Sequence, residues 1–223
     1  ERVHVLNPAD IADGRYVLYW MQQSQRPRWN HALTYAAREA DRLGLPVVAV
    51  FGITRRFPDA RRRHYLFMLD GLRETARALA ERGIPLVVRG APPPDAALGL
   101  ADDAALVVTD VGCLRVQRSW RARVASRTPA RVVAVESDVV VPVETASSKE
   151  EYAARTIRPR IHEHLDRFLQ PLEETTPSRD ALDMTFDGLP LDDPTALADE
   201  LGLPTRVGGR SRFRGGPTEA RER

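Results

Sequence analysis

Short apolar runs alternate along this chain with segments in which apolar residues recur every three or four positions. The runs contain branched and aromatic residues and are bounded by glycine, proline or polar residues, which is typical of buried strands. They predict strands over residues 16–20, 45–51, 85–88, 105–109 and 131–135. The segments between them predict helices over residues 30–43, 60–82 and 94–100, and a fourth helix around residues 116–124.

The ends of these helices carry recognisable signals. Asn30 is a suitable N-cap, and Gly44 and Gly83 follow the first two helices as stop signals. Strands that alternate with helices and are apolar throughout favour a parallel sheet covered on both faces. The predicted fold class is therefore α/β, a doubly wound and mainly five-stranded parallel sheet followed by an extended linker. The pattern leaves the strand order open.

The character of the chain changes after residue 143. Residues 145–168 are polar and predict helix, whereas residues 171–204 are rich in proline, aspartate and small residues, as linkers are. A helix begins within residues 208–223, and we expect that further sequence would be needed to complete it.

Composition narrows the class of protein. The 223 residues are 43% hydrophobic with a formal net charge of +2, which is weak support for nucleic-acid binding. We expect a cytoplasmic, intracellular protein, since no apolar run is long enough to span a membrane and the N-terminus lacks a signal-peptide pattern. Cys113 is the only cysteine, so an internal disulfide is impossible, and we expect it to be inert packing.

Several kinds of chemistry are excluded or unsupported. The chain has no glycine-rich phosphate loop, and Lys149 is its only lysine, so a P-loop enzyme is excluded. His162 and His164 are two residues apart, which places them on different faces of a helix, so no metal site is predicted. The arginines at 55, 56 and 61–63 suit either a solvated helix face or phosphate binding.

The first predicted strand runs directly into a polar cluster. Ligands of open α/β sheets bind beyond the carboxyl ends of the strands, so this cluster is a pocket candidate. The predicted cleft is built from residues 20–26, 51–54 and the turn 109–113. The alternative is that Trp20 and Met21 are simply core residues.

Four sequence blocks carry a resemblance to a known family. They are YVLYWMQQSQR at residues 16–26, RHYLFMLDGL at 63–72, ESDVVVPV at 136–143 and SKEEYAARTIRP at 148–159. In this order they resemble class II cyclobutane pyrimidine dimer (CPD) DNA photolyases, over about residues 2–172. The sequence FRGG at residues 213–216 resembles the start of the helical domain that follows in this family.

The resemblance implies a light-driven DNA repair lyase, deoxyribodipyrimidine photo-lyase, of which this chain is the N-terminal part. Residues 1–172 would be the Rossmann-like antenna domain, residues 173–210 the interdomain linker and residues 211–223 the start of a helical domain. That missing domain would hold FAD, bind UV-damaged DNA and carry out repair, so no catalytic residue is assigned and this chain alone would be inactive. The complete protein is expected to be monomeric and not to bind membranes.

The resemblance also implies an antenna chromophore in the predicted cleft, a deazaflavin (8-HDF-like) rather than a folate (MTHF). An aromatic and methionine-lined slot suits a flat ring, and amides or a guanidinium could meet its oxygens or a phosphate. The candidate antenna residues are Trp20, Met21, Gln22, Gln23, Arg26, Phe51 and Asp110. The candidate interdomain contacts are Tyr152, Arg155 and Arg158.

Two other functions fit the same sequence. The domain could belong to a cryptochrome-like photoreceptor or serve as a partner-binding module. It could also be a stand-alone nucleotide-binding α/β protein, which ATP or another nucleotide would stabilise against heat.

Overall fold

Six strands form one sheet in the computed structural model, which describes residues 1–203 and 213–223. They are β1 (Val3–Val5), β2 (Tyr16–Trp20), β3 (Val47–Gly52), β4 (Leu86–Arg89), β5 (Ala104–Asp110) and β6 (Arg131–Val135). Their order across the sheet is β1-β6-β5-β2-β3-β4. Strand β1 is antiparallel to β6 and the other neighbouring pairs are parallel. The five predicted parallel strands are confirmed.

Strand β1 is absent from the sequence prediction. It has three residues, and Val3 and Val5 are exposed on either side of His4. A run this short and exposed lacks the apolar signal of a buried strand, so only its pairing with β6 reveals it.

Four helices connect the parallel strands: α1 (His31–Leu43), α2 (Arg62–Ala80), α3 (Pro93–Ala101) and α4 (Arg115–Arg127). The Asn30 side chain accepts a hydrogen bond from the backbone N–H of Leu33, and Gly44 ends α1 in the left-handed conformation. Both predicted ends of α1 are confirmed. The predicted helical region 145–168 contains α5 (Val143–Ala146), α6 (Ala154–Glu163) and α7 (Leu165–Phe168).

The sheet has a packed core on each face, as a doubly wound fold requires. Successive side chains of β2 alternate between the two, so Val17 and Tyr19 lie in one core while Leu18 and Trp20 lie in the other. The first core is covered by apolar residues of α1 and α2, and the second by residues of α3 and α4. The prediction of helices on both faces is confirmed.

The path of the chain creates a crevice at one edge of the sheet. From β2 the chain proceeds to β3 and β4 on one side and then crosses to β5 on the other side of β2. The loops that leave the carboxyl ends of β2 and β5 therefore diverge at this point. Such a reversal of strand order is where open α/β sheets bind ligands.

The predicted linker packs on this domain in its described part. Residues 173–203 include α8 (Pro194–Glu200) and buried apolar side chains, among them Ala181 and Leu197. The backbone N–H of Leu189 donates a 2.7 Å hydrogen bond to the carbonyl of Val88 in the edge strand β4. The remaining element is α9 (Pro217–Glu222), and residues 204–212, which the predicted linker and helical start share, lie outside the described residues.

Helix α8 was not predicted from the sequence, because it begins with an aspartate and a proline, which usually indicate loops. Asp193 accepts hydrogen bonds from the backbone N–H groups of Thr195 and Ala196, and Pro194 occupies the first turn. Both residue types are also favourable at these N-terminal positions of a helix.

Cys113 lies exposed in the loop between β5 and α4, so the expectation that it packs in the interior is wrong. The loop carries it past the end of the sheet before α4 returns to the core. No helix in the described part of the chain is long and apolar enough to cross a membrane.

Candidate functional site

A cavity of about 760 Å³ lies beyond the carboxyl ends of β2 and β3. Its size is within the usual range for small-molecule and cofactor sites. The loop after β2, the end of β3, helix α2 and the first turns of α3, α4 and α9 all contribute to its wall. Apolar side chains dominate, namely Met21, Phe51, Ile53, Phe57, Tyr65, Phe67, Met68, Leu114 and Trp120, with the amides of Gln22, Gln23, Gln25 and Gln117 between them.

Asp110 fixes the shape of the loop after β2. This residue ends β5 and is fully buried, and its carboxylate accepts backbone hydrogen bonds from Gln22, Gln23 and Ser24 at 2.9–3.2 Å. Burial raises the pKa of Asp110, while the three N–H donors partly oppose that rise. The Asp110 carboxylate thus holds three consecutive residues of the loop after β2, of which Gln22 and Gln23 line the cavity.

Gln22 has a defined orientation at the floor of the cavity. Its side-chain Nε2 donates to Thr109 Oγ1 at 2.7 Å, and that hydroxyl in turn donates to the carbonyl of Trp20 at 2.9 Å. Because the Thr109 hydroxyl has one proton, it must accept from the amide nitrogen of Gln22. Gln22 Oε1 is then left buried without a hydrogen bond from the described part of the chain.

Arg26 joins the loops that follow β2 and β6. Its guanidinium donates to Asp138 Oδ1 and to the carbonyl of Ser137, both at 2.6 Å, and its Nε donates to the carbonyl of Trp29 at 3.1 Å. In these contacts the Arg26 guanidinium donates to protein atoms through all three of its nitrogens. Arg26 therefore supports the cavity wall with three of its five N–H groups.

The opposite wall comes from α2 and α4. The Tyr65 hydroxyl donates to the carbonyl of Thr54 at 2.7 Å, which holds the loop after β3 against α2. The rings of Phe57 and Trp120, which also line the cavity, have their centroids 6.4 Å apart and are tilted by 56°. Flat aromatic surfaces with a few fixed polar groups can bind a planar conjugated ring.

The structure brings five of the seven predicted antenna residues to the cavity: Met21, Gln22, Gln23, Arg26 and Phe51. Trp20 and Asp110 do not line it. Trp20 points to the opposite face of the sheet because strand residues alternate, and it is fully buried against the α3 and α4 side. Asp110 lies beneath the floor, as described above.

Sequence reasoning missed the contributions of α2, α4 and α9. His64, Tyr65 and Met68 come from α2, and Gln117 and Trp120 come from α4. Helical periodicity assigns such residues to a core, and it does not show that the first turns of these helices overhang the end of the sheet. The signals that could have found them are the blocks at residues 63–72 and 213–216, because both are part of the family resemblance and contribute to the lining.

The predicted interdomain residues lie on a different surface. Tyr152 is 77% exposed just before α6, and Arg155 and Arg158 are exposed on that helix, which buries none of its residues. The Arg155 guanidinium lies 5.8 Å from the centre of the Tyr152 ring. This surface is accessible to another part of a protein.

His162 and His164 are also in this region, and no cluster of potential metal ligands occurs among the described residues.

Comparison with known proteins gives four sequence relatives named deoxyribodipyrimidine photo-lyase. The protein from Methanothermobacter thermautotrophicus is 49% identical over 185 residues, covering 82% of this chain and 42% of its own length. Those from Potorous tridactylus and Arabidopsis thaliana are 36% and 35% identical, covering 68% and 73% of this chain and 29% and 34% of their own. The chain therefore spans less than half the length of these relatives.

Solved structures share the fold at low sequence identity. A photolyase from Sulfolobus tokodaii, whose crystal structure contains two FAD molecules, matches 92% of this chain and 45% of its own with a TM-score of 0.68 and 16% identity. A cryptochrome from Synechocystis matches 93% of this chain and 44% of its own with a TM-score of 0.70 and 14% identity. The sequence profile of the DNA photolyase family matches residues 17–178. Together with the relative that is 49% identical, this match shows that the chain belongs to the DNA photolyase family, and its α/β domain corresponds to the N-terminal domain of that family.

Proposed function

We propose that this chain binds a light-harvesting chromophore in the cavity at the ends of β2 and β3, and that it serves as the antenna part of a CPD photolyase. The observation that carries the proposal is the apolar, aromatic-walled cavity at the reversal point of a photolyase-family sheet. The photolyase structure from Sulfolobus tokodaii is described as containing two FAD molecules, with the implication of a novel light-harvesting cofactor, which supports a second pigment in this family.

The residues present fit a planar, mostly neutral pigment. Met21, Phe51 and Trp120 would contact its ring faces and edges, and the unpaired Oε1 of Gln22 would accept a ring N–H. Three of the five N–H groups of Arg26 are bonded to protein atoms and its charge is paired with Asp138, and His64 is the other basic residue in the described lining. A deazaflavin suits this lining better than a folate, whose tail carries carboxylates.

In this proposal the pigment absorbs light and passes its excitation to FAD. The residues of this chain bind the pigment, fix its orientation and exclude water from it. FAD, the flipped-out pyrimidine dimer and the repair of that dimer belong to a helical domain outside these 223 residues, since extruding the lesion lets chemistry reach a base within a duplex. An intracellular location with damaged DNA accords with that role.

The surface carrying Tyr152, Arg155 and Arg158 would face that helical domain. An exposed aromatic ring paired with arginines is typical of residues that become energetically important when an interface covers them. The proposed domain contact and the proposed pigment site lie on separate elements, so both can be occupied at the same time.

The test is retention of pigment by the purified chain. The protein is incubated separately with 8-hydroxy-5-deazariboflavin, a reduced folate and FAD, desalted, and examined by absorption and fluorescence. Retention of the deazaflavin at one equivalent, weakened by Trp120→Ala, is the expected result. Retention of none of the pigments would overturn the proposal, and a rise in melting temperature with ATP alone would favour a nucleotide-binding protein instead.

A further inference from the structure

We propose that the wall segment, residues 213–223, is energetically coupled to the pigment site, so that its docking on α2 and the binding of pigment strengthen each other. The inference rests on the proposed function and adds a second structural element to it. Gly216, Pro217 and Ala220 of this segment line the same cavity as Phe67 and Met68 of α2. A ligand in the cavity would therefore touch both sides of the contact between them.

The wall segment meets α2 backbone to backbone. A Cβ atom on Gly215 would overlap the carbonyl oxygen of Phe67 and lie 3.3 Å from the backbone nitrogen of Gly71. A Cβ on Gly71 would lie 3.4 Å from the nitrogen of Gly216. Only glycine at position 215 allows this approach, because the Phe67 carbonyl belongs to the helix backbone and cannot move aside.

A second contact orients the segment along α2. Gly216 has a φ of 129°, a conformation that favours glycine, and it begins helix α9. The carboxylate of Glu74 on α2 accepts a 3.0 Å hydrogen bond from the backbone N–H of Thr218 in the first turn of α9. Glu74 thus satisfies one of the N–H groups that every helix leaves free at its start.

The wall segment cannot hold this shape through its own local interactions. Helix α9 has six residues, well below the length at which an isolated helix is stable in water. Its order depends on the contacts with α2, and a pigment that contacts Pro217 and Ala220 would add to them. By linkage, docking of the segment must raise the affinity for pigment by the same factor as pigment favours docking.

The experiment measures both directions of this coupling. The affinity for 8-hydroxy-5-deazariboflavin is determined by fluorescence titration for the wild type, Gly215→Ala and Glu74→Ala, with Glu222→Gln as a matched control at the exposed far end of α9. We expect both test variants to bind at least about fivefold more weakly, a factor within the usual range of coupling between sites. We expect the control to bind as the wild type does. Without pigment, each test variant should still unfold cooperatively and should lose only the stability that docking of the segment contributes, since the segment lies outside both cores.

Hydrogen exchange provides the reciprocal measurement. Saturating pigment should slow exchange of the Thr218 and Ala220 amides in the wild type, and should slow it less in Gly215→Ala. If the wild type binds pigment and both test variants bind it equally well, the coupling is refuted while the antenna function stands. If the wild type binds no pigment, the proposed function fails and this inference fails with it.

Discussion

The backbone N–H of Ser24 donates a 2.9 Å hydrogen bond to the carboxylate of Asp110, joining the loop after β2 to the end of β5. The Ser24 hydroxyl also donates to Asp138 Oδ2 at 2.9 Å, in the loop after β6. Three successive strands of the sheet, β6, β5 and β2, are thereby linked at their carboxyl ends. The loop after β2, which contributes to the floor of the cavity, is therefore hydrogen-bonded to the end of β5 and to the loop after β6.

Replacing Asp110 by Asn should change how stability depends on pH. Burial raises the pKa of the folded carboxyl group above its ordinary value of 3.8, so the folded state holds this proton more tightly than the unfolded state. The contribution of Asp110 to the free energy of unfolding is complete below pH 3.8 and is lost as pH rises through the raised pKa. The wild-type value minus that of Asp110→Asn should therefore fall with rising pH. Urea unfolding across this pH range measures the difference.

The exposed Asp183 provides the matched control, because Asp183→Asn removes a carboxylate of the same type from the surface. Its difference from the wild type measures the effect of removing an exposed carboxylate, and the Asp110→Asn difference is compared with it at each pH. Parallel pH profiles for Asp110→Asn and the wild type would show that Asp110 does not titrate as its burial implies.

Arg26→Lys should lower the stability of the protein, and this should be its main effect rather than weaker binding of pigment. A lysine retains the charge but cannot reach Asp138, Ser137 and Trp29 together through a planar fork. Because the site is partly exposed, we expect a loss of about 1–2 kcal/mol in the free energy of unfolding. Thermal and urea denaturation check this value. If stability is unchanged and only the binding of phosphate-bearing pigments is weaker, Arg26 contacts the ligand instead.

Trp120→Ala should weaken binding of a deazaflavin by removing one aromatic wall of the cavity. Loss of such a contact area is expected to reduce affinity by roughly tenfold or more, about 1.4 kcal/mol for each factor of ten. Trp29→Ala is the control, because Trp29 is 61% exposed and does not line the cavity. Equal affinities in the two variants, measured by fluorescence titration, would place the pigment elsewhere.

Tyr152→Ala should leave this chain's stability within about 0.5 kcal/mol of the wild type, as is usual for an exposed residue. In a longer protein that includes the helical domain, the same change should reduce FAD retention and stability, because the ring would then be covered. Arg155→Ala should act in the same direction, since its guanidinium lies over that ring. Measurements of FAD content and melting temperature that match the wild type would exclude this surface as the domain contact.

The parallel sheet was predictable because burial on both faces leaves its strands uniformly apolar. Strand β2 and the N-cap Asn30 are examples in which one local pattern decides the structure. The location of the cavity also followed, since the cluster after β2 lies at the carboxyl edge of the sheet. The sequence did not predict on which face of the sheet each side chain lies at that edge. Trp20 points away from the cavity, whereas Met21 points towards it.

The roles that sequence reasoning missed depend on contacts between distant parts of the chain. Asn30 is predicted to cap α1, yet its Nδ2 also donates to the Tyr19 hydroxyl and to the carbonyls of Ser24 and Arg26. Asp110 is a predicted ligand contact and instead holds the loop backbone from below. The partners of both residues are set by tertiary structure, about which spacing along one segment gives no information.

The hydrogen bond from Leu189 to Val88 has a practical consequence for where the chain can be divided. Without residues 173–203, the carbonyl of Val88 would lose this hydrogen bond and the edge of β4 would be more open, and open edges recruit strands from neighbouring molecules. A domain cut at residue 172, the predicted end of the antenna domain, should therefore be prone to aggregate during purification. A boundary placed after residue 203 would keep that edge capped.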